Sequence, residues 1–245
     1  ASRYLYAPSA IPLKAEQGYV SQKVVFTSVA YAFTDNFTAL LGTFTFFPPL
    51  LTFAAAKYGV EVKDGVHLGL GGEVFMIPYE STLAAGVAFG SVTFGNHDKH
   101  LTIATGIAGG DPDFLLEDPA IPLMVGGHVR LSDRAAFITE NWLVLDTLAM
   151  PDLGGDVPPV VALAFSGAVR IIGQRDTALR KRAYSYTKEG FPRTTWDIGL
   201  VYTELRENYA YYDYESDSFS DATYQYLPLG PIPWVDWTWH FGPSG

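Results

Sequence analysis

Apolar and polar residues alternate with a period of two along most of this chain. In 66–78, Val66, Leu68, Leu70, Val74 and Met76 oppose His67, Gly69, Gly71 and Glu73. In 121–131, Leu123, Val125, Val129 and Leu131 oppose Met124, Gly126, His128 and Arg130. In 159–173, Val161, Leu163, Phe165, Val169 and Ile171 oppose Ala162, Ala164, Ser166, Ala168 and Arg170. Successive side chains of a strand point to opposite faces, so each such run is a strand with one greasy face. Helical periodicity is scarce. The pattern predicts twelve strands, near 2–8, 18–33, 37–47, 51–63, 66–78, 82–95, 100–109, 121–131, 135–147, 159–173, 194–205 and 231–241.

The connections sort by length. "TDN" (34–36), "KDG" (63–65), "NHDKH" (96–100) and "SDR" (132–134) are tight polar turns. Longer stretches fall between them, among them "SAIPLKAEQG", "GGDPDFLLEDPA" and the Tyr-rich, acidic 206–230. Tight turns at one end and long loops at the other describe an up-and-down meander with periplasmic turns and extracellular loops. The long basic stretch 174–193 breaks the rule, because it falls at the tight-turn end. The nearly apolar run 39–56 is long enough to cross a membrane as a helix, but Pro48 and Pro49 break it into two strands.

The second face of these strands is small or charged. Ala84, Gly86, Ala88 and Gly90 recur in one strand, and Ala104, Gly106 and Ala108 in another. A narrow barrel lumen needs small residues with a few charges, whereas long aliphatic side chains suit lipid. At the C-terminus Val235, Trp237, Trp239 and Phe241 are therefore expected to face lipid, with Asp236, Thr238 and His240 toward the lumen. The expected fold is all-β: one antiparallel up-and-down transmembrane barrel of about twelve strands over 1–245, with both termini periplasmic. A soluble lipocalin-like barrel binding a small apolar ligand is the alternative. No leader is visible ahead of "ASRYLYAPSA", so a targeting segment is expected to have been removed.

Composition agrees. Charged residues are 17% of the 245, and 48% are hydrophobic. The net charge of −10 excludes a nucleic-acid binder. The chain has no cysteine, hence no disulfide, thiolate site or thiol nucleophile.

Five segments carry a resemblance: "RYLYAPSAIPLKAEQGYV" near the start, "TDNF" (34–37), "VTFGNHDKHLT" (92–102), "ITENW" (138–142) and "PIPWVDWTWHF" at the end. With them the chain resembles an uncharacterised group of bacterial outer-membrane barrels, Bacteroidetes-like. The resemblance implies an outer-membrane barrel with no established reaction. The closing aromatic strand also resembles the C-terminal signal of outer-membrane proteins, though "GPSG" follows Phe241.

The candidate lumen residues are Lys57, Glu61, His67, Glu73, His128, Arg130, Glu140, Arg170, Asp197, Asp236 and His240, with Arg3 a further candidate. Charges held away from water must pair. They form either a salt-bridged filling or a polar path for small solutes. Expected partners are the bilayer and lipopolysaccharide, with envelope proteins docking through Arg180, Lys181 and Arg182 of the insert or through Tyr211, Tyr212 and Tyr214. The acidic residues Asp111, Asp113, Glu117 and Asp118 could hold calcium or form a solvated loop. The cluster His97, Asp98 and His100 would serve a barrel enzyme as acid–base or metal group, but a polar turn accounts for it equally, and no nucleophile motif accompanies it. No cofactor is expected. The function expected is non-enzymatic, a narrow channel or the barrel of an envelope assembly.

Overall fold

A computed structural model describes residues 3–78, 82–110, 119–146, 160–173, 194–209, 212–213, 218–219 and 223–242. The strands are β1 (Gly18–Lys23), β2 (Phe26–Ala32), β3 (Phe37–Phe44), β4 (Thr52–Lys63), β5 (Val66–Ile77), β6 (Thr82–Gly95), β7 (Lys99–Gly110), β8 (Ala120–Ser132), β9 (Ala135–Asp146), β10 (Val160–Gly173), β11 (Thr194–Tyr209), β12 (Tyr212–Asp213), β13 (Ser218–Phe219) and β14 (Thr223–Phe241). All but the small β12–β13 pair form one closed antiparallel barrel, β14 closing against β1. Closure leaves no sheet edge, which a strand structure in lipid requires.

The barrel has twelve strands, as expected, but two expected strands are wrong in compensating ways. Of the expected strand 2–8, residues 3–8 do not form a barrel strand: Arg3 and Pro8 make only an isolated bridge, and Tyr4, Leu5, Ala7, Ala10, Ile11 and Leu13 are buried inside the barrel. The run 18–33 is two strands, folded at Val24–Val25 into the β1–β2 hairpin. One strand lost and one gained leaves the direction of every later strand unchanged. Pro8 and Pro12 carry no N–H for a ladder, and that was the available signal against the first strand. The β1–β2 turn carried no such signal, since β-branched residues disfavour turns.

The hairpin joining β11 and β14 also differs from the expected loop over 206–230. The strands pair as far as Tyr209 with Thr223, with an irregularity after Tyr202. The apolar run 39–56 is two strands joined by a 3₁₀ turn at Pro48–Leu50, and no helix among the described residues is long and apolar enough to cross a membrane.

The greasy faces point outward. Leu41, Leu70, Ile107, Val125, Phe165 and Ile198 are exposed around the barrel, as are Val235, Trp237 and Trp239 on β14. Near the tight-turn end Tyr31, Phe33, Phe37, Tyr58, Phe94, Phe137 and Trp196 add an exposed aromatic belt. Outward aliphatics bounded by aromatics are the lipid-facing pattern of a transmembrane barrel.

One strand reverses the expected assignment. On β6, Val87 lies opposite Glu73 and Thr93 opposite His67, so 87, 89, 91 and 93 face inward. Gly86, Ala88 and Gly90 therefore face outward, the opposite of the small-residue lumen expected there. Phe89 fits inside because β5 offers Gly71 across from it: a Cβ on Gly71 would meet the Phe89 ring at 2.6 Å. On β7, Ala104 and Ala108 do face inward and help to line the interior.

Candidate functional site

The N-terminal segment enters the barrel at the tight-turn end. The Glu16 amide donates to the Ala32 carbonyl at 2.9 Å, and the Ala32 amide to the Gln17 carbonyl at 2.9 Å, which tie its base to β2. From there residues 3–14 run inside the lumen as a plug. Because the plug has no strand partner, its backbone groups need donors and acceptors from the wall.

The inward side chains supply them. Lys57 donates to the carbonyls of Ser9 at 2.6 Å and Ile11 at 3.2 Å. Glu140 accepts from the amides of Tyr6 at 2.8 Å and Ala7 at 3.0 Å, and from Trp142 Nε1 at 2.7 Å. Its strand parity was ambiguous in sequence; the inward position is now fixed, and Asn141, on the outer face, donates to the Val125 carbonyl. Thr93 Oγ1 accepts from the Ala10 amide at 2.8 Å. The Tyr6 hydroxyl donates to Glu73 at 2.7 Å, and the Tyr4 hydroxyl meets Thr102 Oγ1 at 2.5 Å.

The wall charges pair in the same place. Arg170 binds Asp197 through two hydrogen bonds of 2.7 Å and reaches the carbonyls of Arg3 and Tyr4. Arg3, from the plug, pairs with Asp236 at 2.7 Å, donates to Thr238 Oγ1, and lies 5.2 Å from the centre of the Tyr19 ring. Asp236 also accepts from Ser21. All four ionised groups are buried.

Glycines make the space. A Cβ at Gly59 would lie 2.5 Å from the Ala10 carbonyl oxygen, one at Gly69 would lie 3.2 Å from Ala10 itself, and one at Gly126 would lie 2.7 Å from the Tyr4 ring. These inward glycines, read in sequence only as small lumen residues, are the bed in which the plug lies.

The remaining candidates separate. His67 and His128 are buried on the inner face, and the His128 ring stacks on His100, centres 4.9 Å apart. His240 lies edge-on to Tyr19 at 6.0 Å. Glu61 is exposed at the tight-turn rim, where it accepts from the Gly65 amide, so it caps a turn and does not reach the plug. Arg130 is also a rim residue, pairing with Asp98 at 3.0 Å and Asp133 at 4.0 Å across two neighbouring turns. In the His97 cluster, Asp98 is engaged by Arg130, and His100 Nδ1 contacts the Asn96 carbonyl. The described residues hold no group of three or more His, Cys, Asp or Glu able to bind a metal. Arg180, Lys181, Arg182, Tyr211, Tyr214 and the acidic residues 111–118 lie outside the described residues. Tyr212 belongs to β12.

Beside and above the plug the lumen holds two cavities, both bordered by Tyr6. The smaller, about 70 Å³, is bordered by Lys23, Lys57, Glu73 and Tyr19. The larger, about 280 Å³, is bordered mainly by apolar side chains of β5 to β9. Lys23 sits 4.7 Å over the Tyr6 ring, close to the smaller cavity.

Closed sheet, lipid-facing belt and charged, filled interior together define a transmembrane β-barrel with an internal plug. Among solved structures the chain is similar in fold to the NanC porin, at 9% identity and a TM-score of 0.53, over 92% of this chain and 98% of that one. It also aligns with the KdgM porin, at 8% identity and a TM-score of 0.44, over 92% of this chain and 98% of that one. No protein-family model and no curated protein matches the chain. At such identity the likeness to NanC shows the fold of an outer-membrane barrel and no more.

Proposed function

We propose that this protein is a non-catalytic outer-membrane channel of narrow bore whose lumen is occupied by its own N-terminal segment. The observation that carries it is the plug itself. Residues 3–14 lie inside a closed barrel, held by side-chain hydrogen bonds and one buried ion pair, Arg3 with Asp236, with no continuous backbone ladder. A lumen wide enough for a polypeptide is wide enough for small polar solutes once the segment moves. The wall left behind carries charges of both signs, Lys57 and Arg170 against Glu140, Asp197 and Asp236, which suits small hydrated solutes over apolar ones. Porin architecture in the NanC likeness supports the same reading. The Bacteroidetes-like group, with a Gram-negative outer membrane and lipopolysaccharide around the barrel, is the setting proposed for it.

Planar bilayers test this. The full chain is expected to give rare or very small conductance steps. A chain lacking residues 3–14 is expected to give frequent discrete steps. If the shortened chain folds, shown by a heat-dependent band shift in an SDS gel, and is still silent, the barrel is not a channel.

A further inference from the structure

The larger cavity differs from the rest of the interior. Toward the tight-turn end the wall is charged and hydroxylated, and Lys57, Thr93, Thr102, Arg170 and Asp236 meet the plug. On the long-loop side, inward positions of five consecutive strands turn apolar: Phe75 on β5, Val87 and Phe89 on β6, Ala104 and Ala108 on β7, Met124 on β8, and Trp142 and Val144 on β9. Its floor is Tyr6, Ala7 and Pro8 of the plug.

These side chains do not fill the space they surround. About 280 Å³ is left among them. A dry apolar cavity of about 150 Å³ already admits benzene, so this one has room for a two-ring molecule. In a water-filled passage the inner wall is polar. Large apolar groups facing a vacant volume gain nothing from packing one another across it. They gain when a hydrophobic guest displaces water from them.

The polar groups at the boundary narrow the choice. The charged side chain bordering the cavity is Glu73, and Glu140 lies next to it, holding Trp142 through the indole N–H at 2.7 Å. That bond fixes one ring of the wall. Two carboxylates at the floor disfavour an anionic guest, and both are already hydrogen-bonded, Glu73 by the Tyr6 hydroxyl and Glu140 by two amides and an indole N–H. Lys23 lies over the Tyr6 ring and borders the smaller cavity, and no cation borders the larger one among the described residues.

We propose that the apolar chamber formed by Phe75, Phe89, Met124 and Trp142 above the plug is a binding site for a small, neutral hydrophobic molecule of up to two fused rings. The site is independent of whether the barrel conducts. Because the plug supplies its floor, a bound guest stabilises the plugged state, and displacement of the plug opens the floor and releases the guest.

The test uses the full chain in lipid nanodiscs and the fluorescent probe 1-aminonaphthalene, neutral at pH 7, measured against empty nanodiscs. Saturable binding with one site per chain is expected. Ala108→Trp, which fills the chamber, is expected to weaken it by at least about tenfold. Ile107→Trp, on the outward face of the same strand, is expected to leave it unchanged. The anion 1-naphthoate is expected to bind at least about tenfold more weakly than the amine. If Ala108→Trp fails to give a heat-shifted barrel, Val87→Trp takes its place. Absence of saturable binding to the unmodified chain, or equal loss in the inward and outward variants, overturns the proposal. Binding without conductance leaves this site standing and removes only the channel.

Discussion

Asp197 and Asp236 are register partners on β11 and β14, both fully buried, so two carboxylates sit side by side inside the wall. Arg170 from β10 neutralises one, and Arg3 from the plug neutralises the other. The wall is therefore one cation short until the plug is in place. Removing one partner of a buried pair costs about 3–5 kcal/mol, whereas replacing both by apolar groups is often neutral. Arg3→Met is expected to lower the temperature of the gel band shift and to make the N-terminal segment open to protease. Arg3→Met combined with Asp236→Leu is expected to recover much of the thermal loss. If the double variant is as unstable as the sum of the two single ones, the pair is not what fixes the plug. Glu140 acts similarly through hydrogen bonds, accepting two plug amides and one indole N–H. Glu140→Ala leaves those donors unpartnered, at about 1–3 kcal/mol for each that stays buried. It is expected to shift Trp fluorescence as well as stability.

At the level of elements, the inward glycines of β4, β5 and β8 divide labour with the large residues they oppose. Gly59 and Gly126 receive the Ala10 carbonyl and the Tyr4 ring, while Gly71 receives Phe89. A branched side chain at the first two must displace the plug, and the ladder around it has no reason to change. Gly59→Val and Gly126→Val are expected to keep the folded, heat-shifted barrel, raise protease access to residues 3–14 and raise single-channel activity. Gly90→Val is the control, since a Cβ there meets nothing within 4 Å. If all three variants behave alike, the glycines do not bed the plug. The β6 assignment failed at the same level. Its small residues Gly86, Ala88 and Gly90 are the ones expected inward, yet Ser91 and Thr93 share the parity of Val87 and Phe89, while Val92 and Phe94 do not. Polarity on the tight-turn half of the strand was the better guide, because only that half meets the hydrogen-bonding part of the plug.

For the whole molecule, closure and the outward belt explain why the chain belongs in a bilayer. Exposed groups as large as Leu41, Leu70 and Ile107 on all sides cannot be buried by this fold in water. Without detergent the protein is expected to aggregate, and a protein that stayed monomeric in plain buffer would refute the membrane assignment. The short strands β1 to β3, six to eight residues, contrast with β4 to β11, which have twelve to sixteen. They fall on the side of the barrel where the plug base is tied, so β2 contributes to both the wall and the anchor.

What the amino-acid order determined by itself was local and periodic: most of the strand positions, the outward face of most of them, and the charges that needed partners. Each follows from a two-residue repeat, which neighbouring residues alone define. The partner of those charges was decided only by the tertiary structure. Pro8 and Pro12 argue against a ladder over residues 3–14, but nothing within the segment says where it goes instead. That choice depends on Asp236, Glu140, Thr93 and Lys57, which are far away in sequence and converge on the lumen only when the barrel closes.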